Sequence, residues 1–309
     1  MSATGLPSTA FLAGSWVALV TPFRNGKVDE KALGDLVDWH VASGTRGLVP
    51  CGTTGESPTL THDEHRAVVS FVVERAKGRI PVVAGTGSNA TEEAVALTRH
   101  AVKAGVQGVL VITPYYNKPT QDGLYAHFAR VAEAAGDRAV ILYNVPGRTS
   151  VDLLPPTVEK LCRNVPNVVA VKEATGSVDR TSELLDRVPD LIVLSGDDSL
   201  TLPIIAVGGK GVISVLANVV PAETQALCAA ALRGDMAEAR ALHKKLYPLA
   251  RNLFVETNPI PVKHALARMG RIGPDLRLPL VPLSAAGREK LEPTLDALGL
   301  VPRGTPVLA

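Results

Sequence analysis

Eight apolar runs rich in β-branched residues recur along the chain, beginning near Trp16, Gly47, Pro81, Val109, Val140, Val168, Ile192 and Val212. Between them the apolar period changes. Leu33, Leu36, Val37 and Val41, like Val68, Val69, Val72 and Val73, fall on one face of a helix. Unbroken apolar strands that alternate with helices demand a parallel sheet covered on its other side. Eight such units predict a closed (β/α)8 barrel of the TIM type, an α/β fold, rather than an open sheet. Thr61 with Glu64 three residues later forms a capping box before one of the helical runs. After Pro221 the strand pattern stops. Helical pattern continues from Ala222 to about Met269 and again from Ser284 to Leu298, joined by a Pro-rich link from Gly273 to Pro282. The expected organisation is a barrel over residues 14–234 carrying the site, then a C-terminal helical domain over 235–309.

Composition narrows the function. The 309 residues are 46% hydrophobic, so a large core can be buried. A formal charge of +2, no basic run and 4% aromatics offer neither a phosphate-tracking groove nor a stacking platform, so no nucleic-acid partner is expected. No apolar stretch approaches the roughly 20 residues of a membrane span. Met1 to Gly14 lacks the basic-then-apolar order of a signal peptide. Cys51, Cys162 and Cys228 are odd in number and far apart, which argues against a disulfide framework or a zinc site. A cytoplasmic protein with neither metal nor cofactor is expected.

In such barrels the chemistry gathers at the C-terminal ends of the strands. Lys172 ends the apolar run Val168–Val171. Burial disfavours an unpaired ammonium, and a neutral amine on a rigid strand end is what Schiff-base formation with a keto substrate needs. The competing reading is a structural lysine paired with Glu173 or another carboxylate. Other strand ends supply hydroxyls, glycines, one arginine and three of the five tyrosines, without a metal-type cluster of His, Asp and Glu.

Gly85-Thr86-Gly87-Ser88-Asn89-Ala90 fits the dinucleotide fingerprint, but the next strand ends in Ile112-Thr113-Pro114, without the required carboxylate. A tight strand-to-helix turn is the better reading. Gly52-Thr53-Thr54-Gly55-Glu56-Ser57 is either a plain glycine turn or an anion cradle of backbone N–H groups and hydroxyls. His62 and His65 lie three apart on one helix with no third metal ligand, which reads as a solvated helix start unless they line an effector site.

Together, Gly52–Ser57, Thr113-Pro114-Tyr115-Tyr116-Asn117, Tyr143–Thr149, Val171–Gly176 and Ser195-Gly196-Asp197-Asp198 resemble the pyruvate-dependent class I aldolases, the N-acetylneuraminate lyase family. The resemblance runs from about Gly14 to Leu300 and includes Asn258-Pro259-Ile260-Pro261-Val262-Lys263. It implies a barrel with a helical C-terminal domain, usually in a homotetramer built as a dimer of dimers. Lys172 would form the imine with pyruvate. Tyr143 would carry the proton, relayed through Thr53 and through Tyr116 of a neighbouring subunit. Thr54 would hold the pyruvate carboxylate, and Gly196 and Ile213 would line the imine pocket through main-chain groups. Arg148 would grip the carboxylate of L-aspartate-4-semialdehyde, favouring that co-substrate, on the lysine and diaminopimelate route, over the 2-keto-3-deoxy sugar acids or N-acetylneuraminate of sibling aldolases. A barrel that kept the fold and lost the chemistry is disfavoured by the complete set Lys172, Tyr143, Thr53 and Tyr116. In lysine-inhibited members the positions of Ser57, His62, His65, Asn89, Glu93 and Tyr115 line an effector cleft, so a lysine effector is expected here. Pro58 departs from the smaller residue often found at its position.

Overall fold

In the computed structural model, which describes residues 9–301, the eight expected strands form one parallel sheet. They are β1 (Gly14–Ala18), β2 (Gly47–Val49), β3 (Val83–Gly85), β4 (Gly108–Ile112), β5 (Ala139–Asn144), β6 (Val168–Glu173), β7 (Ile192–Ser195) and β8 (Gly211–Ser214). Ladders run from β2 to β1, from β1 to β8, and then strand by strand down to β3. A parallel bridge between Leu48 and Val82 links β2 to β3 and closes the barrel. The third strand starts at Val83 rather than Pro81 because proline has no N–H for the ladder; its carbonyl still accepts from Leu48 N–H at 3.0 Å.

The barrel helices are α1 (Glu30–Ala42), α2 (His62–Ala76), α3 (Thr91–Ala104), α4 (Gln121–Ala135), α5 (Pro155–Asn164), α6 (Val178–Arg187), α7 (Thr201–Ala206) and α8 (Pro221–Leu232). Beyond them lie α9 (Met236–Asn252), α10 (Ile260–Arg268) and α11 (Ala285–Ala297). Side-chain caps start several of them. Thr61 and Glu64 form the reciprocal box at α2, and Thr120, Ser177 and Ser284 accept from Gly123, Arg180 and Gly287 at α4, α6 and α11. The long helical pattern after Pro221 is broken at Gly234, whose φ of 81° leaves the helical region, and again before Pro259. Among the described residues no helix is long and apolar enough to cross a membrane.

Strand parity divides the core in two. Trp16, Ala18, Val49, Val83, Leu110, Ile141, Ala170, Leu194 and Ile213 fill the barrel interior, while Val17, Leu48, Val140, Leu142, Val171 and Val193 pack outward under the helices. Trp16 is wholly buried, and its indole N–H donates to the Leu12 carbonyl at 2.9 Å. A Cβ at Gly47 would stand 2.2 Å from that ring, so only glycine fits beside it. An antiparallel ribbon, Phe23–Arg24 with Lys27–Val28, is not among the expected elements. Its signal is present in the chain, since Asn25 and Gly26 both take positive φ (54° and 76°), the Asn-Gly preference of a two-residue hairpin turn.

Candidate active site

Parity also aims the reactive groups. Tyr143 on β5 pairs in register with Lys172 on β6, and both continue the inward rows begun by Ile141 and Ala170. The Lys172 ammonium lies 4.1 Å from the Tyr143 ring centroid, and each residue is 6% exposed. Glu173, one residue on, faces the other way. It accepts from Thr175 N–H at 2.8 Å and from the Arg180 guanidinium at 3.0 Å. The structural pairing of Lys172 with Glu173 is therefore not made, and among the described residues the Lys172 amine has no ion pair or hydrogen bond. Burial raises the Asp197 carboxyl above its ordinary range, and the Lys172 charge pulls against that rise.

The turn after β2 is compact and strained. Gly55 and Glu56 donate to the Gly52 and Thr53 carbonyls at 3.1 Å, while Cys51 and Glu56 sit at positive φ (56° and 54°). Among the described residues the backbone N–H groups of Gly52, Thr53 and Thr54 have no acceptor. Three successive donors without an acceptor are what an anion cradle requires. The Thr54 hydroxyl, buried, accepts from the Asn258 side chain at 3.0 Å. Arg148 belongs to a single helical turn, Pro146–Thr149, after β5, and its guanidinium donates to the Asn258 carbonyl at 3.2 Å.

A cavity of about 460 Å³ opens at this end of the barrel. Its lining includes Thr53, Tyr143 and Arg148 together with Ser57, His62, His65, Glu93 and Tyr115. Ile213 lies in the barrel interior. Gly196 donates from its N–H to the Glu173 carbonyl at 2.7 Å, and a Cβ there would meet that of Ala174 at 2.4 Å. Lys172, Thr54, Gly196 and Ile213 are not among the residues that line the cavity, and neither is Tyr116, which is 90% exposed at φ 73°. Asn89 does not line the cavity either, and its carbonyl accepts from the Asn117 side chain at 2.8 Å.

The two histidines differ in kind. His65 is buried, its Nε2 is 2.9 Å from the Gly85 carbonyl, and burial lowers its pKa to about 4, so it is neutral at pH 7. His62 is exposed and pairs with Glu93, which also accepts from the Ser88 hydroxyl. The fingerprint-like segment 85–90 is a packing device. A Cβ at Gly85 would meet the Cys51 carbonyl oxygen at 2.3 Å, and one at Gly87 the Ile112 nitrogen at 2.4 Å.

Asp198, Asn258 and Lys263 have no individual role in the sequence reading. Asp198 accepts from the Ser214 hydroxyl at 2.5 Å and from Val215 and Leu216 N–H at 3.0 and 2.9 Å, fixing the turn after β8 beside Ile213. Burial still raises its pKa to about 6. Lys263, on α10, pairs with Glu56 at 2.5 Å and donates to the Thr21 carbonyl at 3.0 Å. The only advance signal for Asn258 and Lys263 is their place in a motif carried by the resemblance.

The family model described as the dihydrodipicolinate synthetase family matches residues 11–298. A 4-hydroxy-tetrahydrodipicolinate synthase of Nitratidesulfovibrio vulgaris (strain DP4) is 54% identical over 289 residues, covering 93% of this chain and 99% of that protein. The crystal structure of dihydrodipicolinate synthase from Aquifex aeolicus superposes with a TM-score of 0.93 at 52% identity, covering 94% of this chain and all of that one. The enzyme from Cyanidioschyzon merolae, solved with lysine bound, gives 0.90 at 39% identity, over 94% and 99% of the two chains.

Proposed function

The chain belongs to the dihydrodipicolinate synthetase family, and on that footing we propose how its residues carry out the reaction of a 4-hydroxy-tetrahydrodipicolinate synthase. It is a lyase of the lysine and diaminopimelate route that condenses pyruvate with L-aspartate-4-semialdehyde. The observation that carries the residue roles is the buried, unpaired Lys172 amine against the Tyr143 ring at the mouth of the barrel. Lys172 attacks the keto carbon of pyruvate and expels its oxygen as water, leaving an imine. Loss of a methyl proton converts the imine to an enamine, which forms the new carbon–carbon bond at the aldehyde carbon of the semialdehyde. The amino group of the semialdehyde then displaces Lys172, closing the ring and freeing the enzyme. One water is lost overall.

Each proton needs a carrier. Tyr143 serves, with Thr53 and a tyrosine from a second subunit passing the proton on, since a phenol is a poor base unless its proton has an exit. Thr54 and the free N–H groups of the 52–54 turn take the pyruvate carboxylate, and Gly196 and Ile213 border the imine. Arg148, at the cavity wall, takes the semialdehyde carboxylate.

Steady-state rates with pyruvate and the semialdehyde, for the wild type and Arg148→Ala, test this reading. The wild type should turn over the semialdehyde and leave 2-keto-3-deoxy sugar acids untouched. The variant should lose about 30- to 5,000-fold in semialdehyde kcat/KM while still forming the pyruvate imine, because truncating a charged contact costs roughly 2–5 kcal/mol. Unchanged semialdehyde kinetics in the variant would return the sugar-acid reading.

Tyr116 gives the assembly its reason. Tyr116 is 90% exposed at positive φ and, among the described residues, has no hydrogen bond or ring contact within its own chain, which supports a role in a neighbour's relay. We assign a homotetramer, a dimer of dimers, in which Ser57, His62, His65, Glu93 and Tyr115 of the cavity lining, with Asn89, lie near the tight interface and bind lysine. Glu93 would exchange His62 for the effector ammonium, and neutral His65 would face its apolar stem. Mixing inactive Tyr116→Phe with inactive Lys172→Arg chains should regain part of the activity, and millimolar lysine should lower what is regained. No recovery in verified mixed oligomers removes the shared tyrosine. Recovered rates indifferent to lysine remove the effector site.

A further inference from the structure

We propose that Asn258 is a positioning residue of the active site that sets the direction in which the Thr54 hydroxyl donates. The inference rests on the carboxylate-holding role assigned above to Thr54. Asn258 lies between α9 and α10, 204 residues from Thr54, and is 5% exposed. Its side-chain N–H donates to Thr54 Oγ1 at 3.0 Å, and its main-chain carbonyl accepts from Arg148 at 3.2 Å. One residue from the C-terminal region thus touches both groups that meet the substrates' carboxylates.

A hydroxyl has one proton and two acceptor positions. When an amide N–H fills an acceptor position, the proton stays free to be donated elsewhere. A carboxylate is acceptor-only, so Thr54 can hold one only if its own proton is not consumed by a neighbour. Asn258 ensures that polarity. Its Oδ1 is buried without a hydrogen-bond partner among the described residues. A buried oxygen without a donor is an exception that calls for an explanation, and a role in the site supplies one. The other end of the same turn is fastened separately, by Thr21 Oγ1 to the Gly55 carbonyl at 2.7 Å and by Lys263 to Glu56. That leaves Asn258 as the contact acting on the Thr54 hydroxyl itself.

Asn258→Asp is nearly isosteric and reverses the polarity: it offers an acceptor that claims the Thr54 proton and places a charge beside the pyruvate carboxylate. Its KM for pyruvate should rise about 100-fold, with a smaller change in kcat and in the semialdehyde KM, because the Arg148 contact is to the main chain. Asn258→Ala should raise the pyruvate KM about five- to ten-fold, the worth of one hydrogen bond. In a Thr54→Val background Asn258→Ala should add nothing, since the hydroxyl it acts through is gone. Losses that add in the double variant, or a wild-type pyruvate KM in Asn258→Asp, overturn the inference. A pyruvate adduct trapped by borohydride in the wild type separates the cases. If it forms and the Asn258→Asp variant behaves as the wild type, only the role of Asn258 falls; if the wild type traps none, the assignment of the pyruvate site falls with it.

Discussion

Replacing Lys172 with arginine should lower turnover by about 10³-fold or more, to the background of the assay, while leaving a folded protein. Arginine keeps the charge and most of the length but cannot be deprotonated in a protein, so it has no lone pair for the keto carbon. Borohydride with pyruvate should place a reduced, stable adduct on the Lys172 peptide of the wild type and on none in the variant. Lys263 is the most instructive control, because it is the more deeply buried of the two, at 1% exposed. Burial lowers its pKa, and the Glu56 carboxylate pulls it back up. An amine that donates to a carboxylate and a carbonyl is committed to structure, whereas the Lys172 amine meets only an aromatic face. An adduct mapped to Lys118, Lys210 or Lys263, or substantial turnover in Lys172→Arg, would remove Lys172 as the nucleophile.

Lys263→Met should destabilise the protein by about 3–5 kcal/mol, the cost of leaving one charge of a buried pair without its partner. Glu56 and Lys263 have side chains 0% and 1% exposed, 2.5 Å apart, with the ammonium also 4.3 Å from the Phe23 ring. Methionine refills the volume and leaves the Glu56 carboxylate, among the described residues, with the Arg277 backbone N–H at 3.2 Å as its side-chain hydrogen-bond donor. Thermal unfolding should show a midpoint lowered by roughly 5–15 °C. Because the penalty is the uncompensated charge, adding Glu56→Gln should recover much of the loss. A single variant within about 1 kcal/mol of the wild type would reduce the pair to the worth of a surface ion pair. The pair also fixes the end of the turn that carries Thr53 and Thr54, the residues proposed above to relay the proton and hold the pyruvate carboxylate.

What is legible in the chain is legible because it is local. A period of two or of 3.6 is written within a handful of residues, so eight strands, their helices and the Thr61–Glu64 cap can be read directly. The reactive ends of the strands follow from barrel geometry. The ribbon at Phe23–Val28 is readable too, from Asn25-Gly26, but two-residue strands carry almost no period to draw attention.

The order of residues along the chain was enough to specify the barrel, the residues at its strand ends, and the concentration of tyrosines, threonines, one arginine and one lysine there. Which way each one faces, and what it is tied to, was settled by packing. Lys172 could have paired with Glu173 until the β5–β6 register turned one inward and the other toward Arg180. Thr54 and Glu56 read as members of a glycine turn until Asn258 and Lys263, more than 200 residues away, closed over them. A buried polar group must be satisfied by whatever the packed chain brings within about 3 Å. Secondary structure is specified by neighbours along the sequence, whereas those partners are specified by neighbours in space.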